Sequence, residues 1–384
     1  MKKVIFFLLL LLMPIVVKAE EKPPEENPNL AASAGASILM EASTGKILYE
    51  HNSKERLAPA SMTKIMTLLM IMEAIETKKI TTTDEVLITS NASSMGGSQV
   101  FLEAGSKMKV EDLLKAITIA SANDASVAVA EHLAGSVAEF VKKMNERCKA
   151  LGCVATNFMN VHGLDDTDHY SSAHDMALMA KALLKHEKIL NYTTIYEEYL
   201  KKPDGTTTWM VNTNKLIRYY NGLDGLKTGF TSAAGYCLTA TAQRNNMRLI
   251  SVVMKEATTN SRSNSTIELL NYGFSNYKVK TILDIKHDLG LIEVINGKEK
   301  NVNLRLNENA TNLENINEEK KYTYNIVVSP VKAPVHVGDI VGYLEIIENN
   351  QVISKFDITV KKTIKKANIW DLYKRNLNDV LVGI

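Results

Sequence analysis

The most apolar helical stretch of this chain runs from Leu57 to Met72 and reads LAPASMTKIMTLLMIM. The apolar residues after Lys64 cover nearly every side of a helix, which is typical of a helix buried in a core. Pro59 breaks the preceding run, so the pattern predicts a helix that begins close to Ser61. We therefore expect a buried helix with a serine and a lysine in its first turn.

Ser61 and Lys64 lie one helical turn apart at this start. Residues three apart share a helix face, and the free N–H groups and dipole of the first turn add positive potential there. A lysine can deprotonate a serine near neutral pH only if burial or neighbouring cations lower its pKa. The pair is therefore a candidate nucleophile and base. The alternative is a helix start with a solvated lysine, because S-x-x-K occurs at four other places in the chain.

Two further motifs follow in a fixed order. Ser121-Ala122-Asn123 is the only S-x-N in the chain, and it interrupts two helical segments. Lys227-Thr228-Gly229 is the only K-T-G. Taken alone, the first is typical of a helix cap and the second of a turn. Taken together with Ser61 and Lys64, they favour one catalytic site assembled by the fold.

The set S-x-x-K, S-x-N and K-T-G is the signature of the penicillin-recognising serine acyl-transferases. Longer stretches make the likeness specific: VHGLD at 161–165, SAHDMA at 172–177 and GLDGLKTG at 222–229. With them the chain resembles the D-alanyl-D-alanine carboxypeptidases, the low-molecular-mass penicillin-binding proteins. The resemblance implies a serine peptidase that removes the terminal D-alanine from peptidoglycan stem peptides ending in D-Ala-D-Ala, and that β-lactam antibiotics acylate.

The resemblance also implies the catalytic roles. Ser61 would be the acylated nucleophile, and Lys64 its general base. Ser121, with Lys227 beside it, would pass a proton to the leaving amine. Asn123 would hydrogen-bond the amide backbone of the substrate.

Further residues are implied as substrate contacts. Thr228, next to Gly229, would meet the terminal carboxylate. Arg262 occupies the carboxylate-recognising arginine position of the family, and its alternative is a solvated arginine on a helix. The backbone N–H groups of Ser61 and Phe230 would form the oxyanion hole.

Deacylation separates two related enzyme classes. Class A β-lactamases hold their water with a glutamate in an E-x-x-L-N element. The corresponding stretch, TNFMNVH at 156–162, contains no glutamate. His162 stands where the carboxypeptidases carry a histidine, and its alternative role is that of a packed loop residue. A serine β-lactamase and a non-catalytic penicillin-sensing or wall-binding protein remain the alternative functions.

Composition limits the classes of protein to which the chain can belong. The chain has 384 residues, 45% of them hydrophobic, which allows two domains, and its net charge of +2 gives no support for nucleic-acid binding.

The chain has three cysteines, Cys148, Cys153 and Cys237, which is an odd number for an exported protein. We expect plain buried thiols, with a Cys148–Cys153 bridge as the alternative. The sequence has no zinc spacing, phosphate loop or dinucleotide fingerprint, so we expect neither metal nor cofactor.

The expected architecture is α+β: an antiparallel sheet covered by helices, β-lactamase/transpeptidase-like, followed by a small all-β domain. The predicted segments are a signal peptide (1–19), a linker (20–33), the catalytic domain (34–275), the all-β domain (276–361) and an amphipathic membrane-anchor helix (362–384). The last segment places its apolar residues on one face and follows four lysines, which suits an anionic membrane surface. These features predict an exported protein at the outer face of the cytoplasmic membrane.

Overall fold

The structure is a computed structural model that describes residues 28–373. The predicted signal peptide, most of the predicted linker and the end of the predicted anchor helix lie outside these residues. Two regions are distinguished below: the α+β region, residues 28–276, and the β region, residues 277–366.

A five-stranded antiparallel sheet forms the centre of the α+β region, in the order β2-β1-β9-β8-β7. The strands of this region are β1 (Ala36–Glu41), β2 (Ile47–His51), β3 (Glu85–Leu87), β4 (Lys107–Lys109), β5 (Glu197–Lys201), β6 (Thr207–Val211), β7 (Leu223–Thr231), β8 (Gly235–Arg244) and β9 (Met247–Glu256). Two antiparallel hairpins, β1–β2 and β8–β9, supply four of its five strands. Strands from both ends of the region therefore meet in one sheet, and helices α1 to α8 lie between these strands in the sequence.

Helices pack on this sheet. They are α1 (Lys64–Glu76), α2 (Ser90–Ser93), α3 (Val110–Lys115), α4 (Asn123–Ala134), α5 (Val137–Ala150), α6 (Ala173–Leu184), α7 (Leu190–Thr193), α8 (Leu216–Tyr219) and α9 (Thr259–Asn276). Helix α1 is largely buried, as its apolar run predicts: Ile65, Met66, Leu68, Leu69 and Ile71 are fully buried. A short 3-10 turn, Ala60–Thr63, precedes it. This places Ser61 at the entry to the central helix.

The β region consists of strands. They are β10 (Tyr277–Leu283), β11 (Leu291–Ile295), β12 (Asn301–Leu306), β13 (Ala310–Asn315), β14 (Thr323–Val328), β15 (Val331–Lys332), β16 (Ile340–Glu348) and β17 (Gln351–Val360). Six of them form one sheet in the order β14-β16-β17-β12-β11-β15, and β10 pairs with β13. Strand β13 reads ATNLEN, a largely polar run whose composition alone would not indicate a strand. The α+β fold followed by an all-β part is confirmed.

The cysteines correct one expectation. Cys148 and Cys153 form a disulfide rather than two free thiols. Helix α5 ends at Ala150, and the chain turns back so that the Cys153 N–H donates to the Cys148 carbonyl at 3.1 Å. The two Cα atoms are 5.3 Å apart, within the range that a disulfide bridges. Cys237 is a free, buried thiol, as expected.

Both ends of the described chain differ from the predicted boundaries. Part of the predicted linker packs on the α+β region, since Ala31 is buried and its N–H donates to Glu268 at 2.8 Å. At the other end, Ile364 and Lys366 still form β-bridges to the β region. A helix then starts after Asn368 and covers 369–373 of the described residues. No helix within residues 28–373 is long and apolar enough to cross a membrane.

Candidate active site

Two glycines let the chain pack closely around Ser61. Gly163 has φ +91°, and a Cβ atom there would overlap the carbonyl oxygen of Ala60. Gly229, in β7, lies so close that its Cβ would be 2.8 Å from the Pro59 carbonyl oxygen. Real Cβ atoms do not approach oxygen this closely, so both positions require glycine. The 161–165 loop and the K-T-G strand therefore both contact the turn that carries Ser61.

Lys64 is fully buried and makes three hydrogen bonds. Its Nζ atom donates to Ser61 Oγ at 3.1 Å, to Asn123 Oδ1 at 2.7 Å and to the His162 carbonyl at 2.7 Å. Burial, reinforced by the charge of Lys227, lowers the pKa of Lys64 well below its usual value. The neutral amine required of a base is thus favoured, and its two N–H groups can still donate to Asn123 Oδ1 and the His162 carbonyl while its lone pair is left for the Ser61 hydroxyl proton.

Ser121 follows a π-helical turn, Ala116–Ala120, and adopts the left-handed conformation with φ 61° and ψ 34°. This conformation is strained for a residue with a side chain. The Ser121 hydroxyl is buried and has no hydrogen-bond partner in the part of the chain that the structure describes. The strained backbone of Ser121 therefore holds a buried hydroxyl that no described residue uses, and this hydroxyl is available to a bound substrate.

Asn123 is engaged on both sides of its amide. Its Oδ1 accepts from Lys64, and its Nδ2 donates to the Gly96 carbonyl at 2.7 Å. An amide retains a further acceptor site and a further donor when one of each is used. The structure thus gives Asn123 a contact that the motif alone did not predict, namely with the base Lys64.

Lys227 and Arg262 place two more cations in the interior. Lys227 is 1% exposed, and burial with the nearby charge of Arg262 lowers its pKa to about 7. Its Nζ atom donates to the Thr228 carbonyl at 3.2 Å. Arg262 is buried on α9, and its Nε atom lacks a hydrogen-bond partner within residues 28–373. The two cations form a positive interior close to the K-T-G strand.

The remaining predicted residues lie at the edge of this arrangement. Thr228 donates its hydroxyl proton to Thr213 Oγ1 at 2.7 Å. Phe230 is exposed, and its ring packs on Tyr236 with centroids 4.3 Å apart. The His162 imidazole is buried, and desolvation with the charge of Lys64 lowers its pKa to about 4. His162 therefore contacts Lys64 through its backbone carbonyl, with a neutral ring.

Sequence reasoning missed three supporting residues. Asp124, directly after Asn123, accepts hydrogen bonds from the backbone N–H groups of Val100 and Leu102 at 3.1 Å each. His169 is buried and shares a 2.8 Å hydrogen bond with Thr63 Oγ1. Thr213 holds the Thr228 hydroxyl. Only Asp124 carried a sequence signal, its position beside S-x-N, because the other contacts join segments far apart in the chain.

Residues 19–258 match the D-alanyl-D-alanine carboxypeptidase family, and residues 277–366 match the penicillin-binding protein 5 C-terminal domain. A relative from Bacillus subtilis, D-alanyl-D-alanine carboxypeptidase DacF, is 44% identical over 354 residues, which are 91% of this chain and 90% of the relative. The chain belongs to the D-alanyl-D-alanine carboxypeptidase family. The predicted enzyme class, a serine carboxypeptidase, is confirmed by this membership.

Two solved structures are similar to the carboxypeptidase. Penicillin-binding protein 5 from Haemophilus influenzae is 30% identical with a TM-score of 0.69, over 90% of this chain and 100% of that one. Penicillin-binding protein D2 from Listeria monocytogenes, in its ampicillin-bound form, is 31% identical with a TM-score of 0.57, over 63% of this chain and 98% of that one. The fold is thus that of penicillin-binding proteins.

Proposed function

We propose that this carboxypeptidase removes the terminal D-alanine from peptidoglycan stem peptides through an ester on Ser61. The observation that carries the proposal is the 3.1 Å contact between Lys64 Nζ and Ser61 Oγ. Lys64 is a buried lysine with a lowered pKa, so its neutral form can accept the serine proton. Ser61 Oγ then attacks the carbonyl carbon of the penultimate D-alanine.

Collapse of the tetrahedral adduct breaks the peptide bond. The ester forms on Ser61, and the amine of the terminal D-alanine leaves with a proton. Ser121, whose hydroxyl is buried and unpaired among the described residues, would relay to this amine the proton that Lys64 took from Ser61, and Lys227 would keep its own proton for the substrate carboxylate. The backbone N–H groups of Ser61 and Phe230 stabilise the oxyanion. Water later cleaves the ester and regenerates Ser61.

Substrate recognition follows from the positive interior. A terminal carboxylate can pair with Lys227 and Arg262, two buried cations without a carboxylate partner among the described residues. It can also accept from Thr228 once that hydroxyl turns away from Thr213. The approach of this anion offsets the desolvation of both cations. Gly229 keeps the K-T-G strand close to Ser61, which lets the substrate lie along its edge.

Penicillin fits the same chemistry. Ser61 opens the four-membered lactam ring, and its amine remains covalently attached to the acyl group. The leaving group therefore stays in the site, where it impedes the entry of water. A long-lived ester on Ser61 is the expected product.

We also propose that the helix starting after Asn368 holds the enzyme at the outer face of the cytoplasmic membrane. Three of its described apolar side chains are exposed: Ile369 at 84%, Trp370 at 72% and Tyr373 at 60%. Exposed Trp and Tyr rings are suited to the headgroup layer. Truncation after Ala367 leaves the β-bridges intact and should release the enzyme from sedimenting membranes. Continued sedimentation would contradict the anchor.

The acyl-enzyme is tested by mass spectrometry after incubation with benzylpenicillin. One adduct is expected on the peptide that contains Ser61, and none in Ser61→Ala. Ser106→Ala is the matched control, because Ser106 belongs to another S-x-x-K and its hydroxyl bonds Glu103. An adduct that persists in Ser61→Ala would refute the proposed nucleophile. Release of D-alanine from diacetyl-Lys-D-Ala-D-Ala then separates a turning-over enzyme from a penicillin sensor.

A further inference from the structure

The end of strand β7 is tied to the 161–165 loop by a hydrogen bond to which the proposed reaction assigns no role. The Thr231 hydroxyl donates to Asp165 Oδ1 at 2.7 Å, and the two residues are 66 positions apart in the sequence. Thr231 Oγ1 also accepts from the Ala234 N–H at 3.0 Å, so its own proton is left for Asp165. A hydroxyl that donates to a carboxylate forms a charge-assisted hydrogen bond. We call this bond the Asp165–Thr231 clasp.

Asn160 holds the loop that presents Asp165. Its Oδ1 accepts from the N–H groups of His162 and Gly163 at 3.3 and 2.6 Å. Its Nδ2 donates to the Leu164 carbonyl at 2.9 Å. One side chain thus fixes the three residues directly before Asp165. The loop end of the clasp is therefore set by hydrogen bonds within the loop.

The same loop contacts the turn that carries the nucleophile. A Cβ atom on Gly163 would lie 2.9 Å from the Ser61 backbone nitrogen, so the two backbones touch. The His162 carbonyl accepts from Lys64 at 2.7 Å. The loop therefore packs against the Ser61 backbone nitrogen, whose N–H is one of the two proposed oxyanion donors.

The other end of the clasp lies directly after the second proposed donor, Phe230. Strand β7 is at the edge of the five-stranded sheet and is hydrogen-bonded to β8 on one side only. Side chains two apart in a strand share a face, so Thr231 lies on the face of Gly229, which contacts the Pro59 carbonyl. Gly229 has no side chain with which to hold that contact, and the Phe230 ring packs on Tyr236 of β8. The clasp therefore ties this end of the edge strand to the loop beside the nucleophile.

We propose that Asp165 is a positioning residue of the acyl-transfer reaction. Acting through Thr231, it fixes the distance between the Phe230 N–H and the other donor, the Ser61 N–H. This inference rests on the proposed function, which places the oxyanion between these two groups. An oxyanion donor acts when it lies about 2.7–3.1 Å from the oxygen, so a small relaxation of the edge strand weakens one of the pair. Formation and hydrolysis of the ester both pass through an oxyanion, so both steps should slow without the clasp.

The first test is steady-state release of D-alanine from diacetyl-Lys-D-Ala-D-Ala. Asp165→Ala and Thr231→Val remove the clasp from either side. Each should lower kcat and kcat/KM by about tenfold at unchanged KM, since losing a whole oxyanion donor costs about 10²- to 10³-fold. The double variant should lose no more than either single variant, because both delete one bond. Asp165→Asn keeps an acceptor and Thr231→Ser keeps a hydroxyl, so both should retain most of the wild-type kcat.

Asp204→Ala is the matched control. Asp204 accepts from Thr206 Oγ1 at the same 2.7 Å, in the turn between β5 and β6, and its loss should leave both kinetic constants unchanged. The share of competent enzyme is measured for every variant by mass spectrometry at saturating benzylpenicillin. The extent of labelling on Ser61 should equal that of the wild type, while its rate falls about tenfold in Asp165→Ala.

Four results would overturn the positioning role. They are wild-type kinetics in both Asp165→Ala and Thr231→Val, a higher KM at unchanged kcat, additive losses in the double variant, and a loss of kcat that the extent of labelling fully explains. An equal loss in Asp204→Ala would overturn it as well. A wild-type enzyme with neither a Ser61 adduct nor D-alanine release would refute the proposed function, and the positioning role with it. A working wild type with unaffected clasp variants would refute the positioning role alone.

Discussion

The α+β region and the β region differ in the burial and the ion pairing of their cationic side chains. In the α+β region, Lys64, Lys227 and Arg262 are all at most 5% exposed, and no ion pair joins them to a carboxylate among the described residues. In the β region, lysines lie at or near the surface and pair with carboxylates at 3.0 Å. Lys355 pairs across strands with Glu345, and Lys320, in the loop before β14, pairs with Glu348. Burial without a counter-ion disfavours the charged form of a lysine, whereas a solvated pair leaves it charged.

This difference in burial indicates which region can carry out the catalytic chemistry. A base needs a lysine that loses its proton near neutral pH, and a carboxylate-binding site needs cations that are not already neutralised. Both conditions hold in the α+β region, whereas none of the described lysines of the β region is buried. The catalytic chemistry is therefore expected in the α+β region, where the cations are buried.

The largest expected effect comes from removing the buried base. Lys64→Met should lower the rate of acylation by benzylpenicillin by about 10³-fold, because a positioned general base contributes 10²–10⁴. The rate is measured as the appearance of the Ser61 adduct by mass spectrometry. Lys355→Met, which removes a lysine of the β region, should leave the rate unchanged. A Lys64→Met enzyme that acylates at the wild-type rate would show that Lys64 is not the base. The buried lysine would then matter no more to acylation than the surface lysine Lys355.

The second-largest effect is expected on the free energy of unfolding, and it is tested at two glycines that have similar positive φ angles. Gly163 has φ +91° and Gly338 has φ +97°, but only Gly163 meets neighbouring backbone, at Ala60 and Ser61. Gly163→Ala should reduce the free energy of unfolding by about 3 kcal/mol, from overpacking together with strain. Gly338→Ala should cost only the strain, about 1 kcal/mol. Urea denaturation measures both, and equal losses would show that crowding at Ser61 contributes nothing.

The sequence predicted the members of this site better than their contacts. S-x-x-K, S-x-N and K-T-G identified Ser61, Lys64, Ser121 and Lys227, because local spacing and motif order are visible in a chain. The bond between Asn123 and Lys64, the hydrogen bonds of Asp124 and the His169–Thr63 bond were not predicted, because they depend on packing between distant segments. The Cys148–Cys153 bridge depended on where α5 ends, and helix ends are poorly defined by sequence.

A pH effect on stability should also arise in the α+β region. Burial lowers the pKa of both His162 and His169 to about 4, below the ordinary value of 6.5. Between these values the unfolded chain binds protons that the folded chain does not, so stability is full above pH 6.5 and falls as pH drops towards 4. Each histidine contributes at most about 3 kcal/mol to this loss.

The variant His169→Asn should flatten that decline. The measurement is the free energy of unfolding at several pH values between 6.5 and 4, and the slope is compared with that of the wild type. The slope isolates the proton linkage from the hydrogen bonds that the variant also loses. His336→Asn is the control, because the His336 side chain is 61% exposed in the β region. An unchanged slope in His169→Asn would show that His169 is not held neutral.

The smallest effect is expected for a surface pair of the β region, Lys320 and Glu348, whose side chains are 30% and 18% exposed. Partly solvated pairs of this kind gain little, because water screens the attraction and two long side chains lose freedom. A double-mutant cycle with Lys320→Met and Glu348→Gln should give a coupling free energy below about 1 kcal/mol, and neither variant should alter D-alanine release. A coupling of several kcal/mol would mean that this charge pair is effectively desolvated. The two regions would then differ in the presence of a counter-ion and not in how well water reaches their charges.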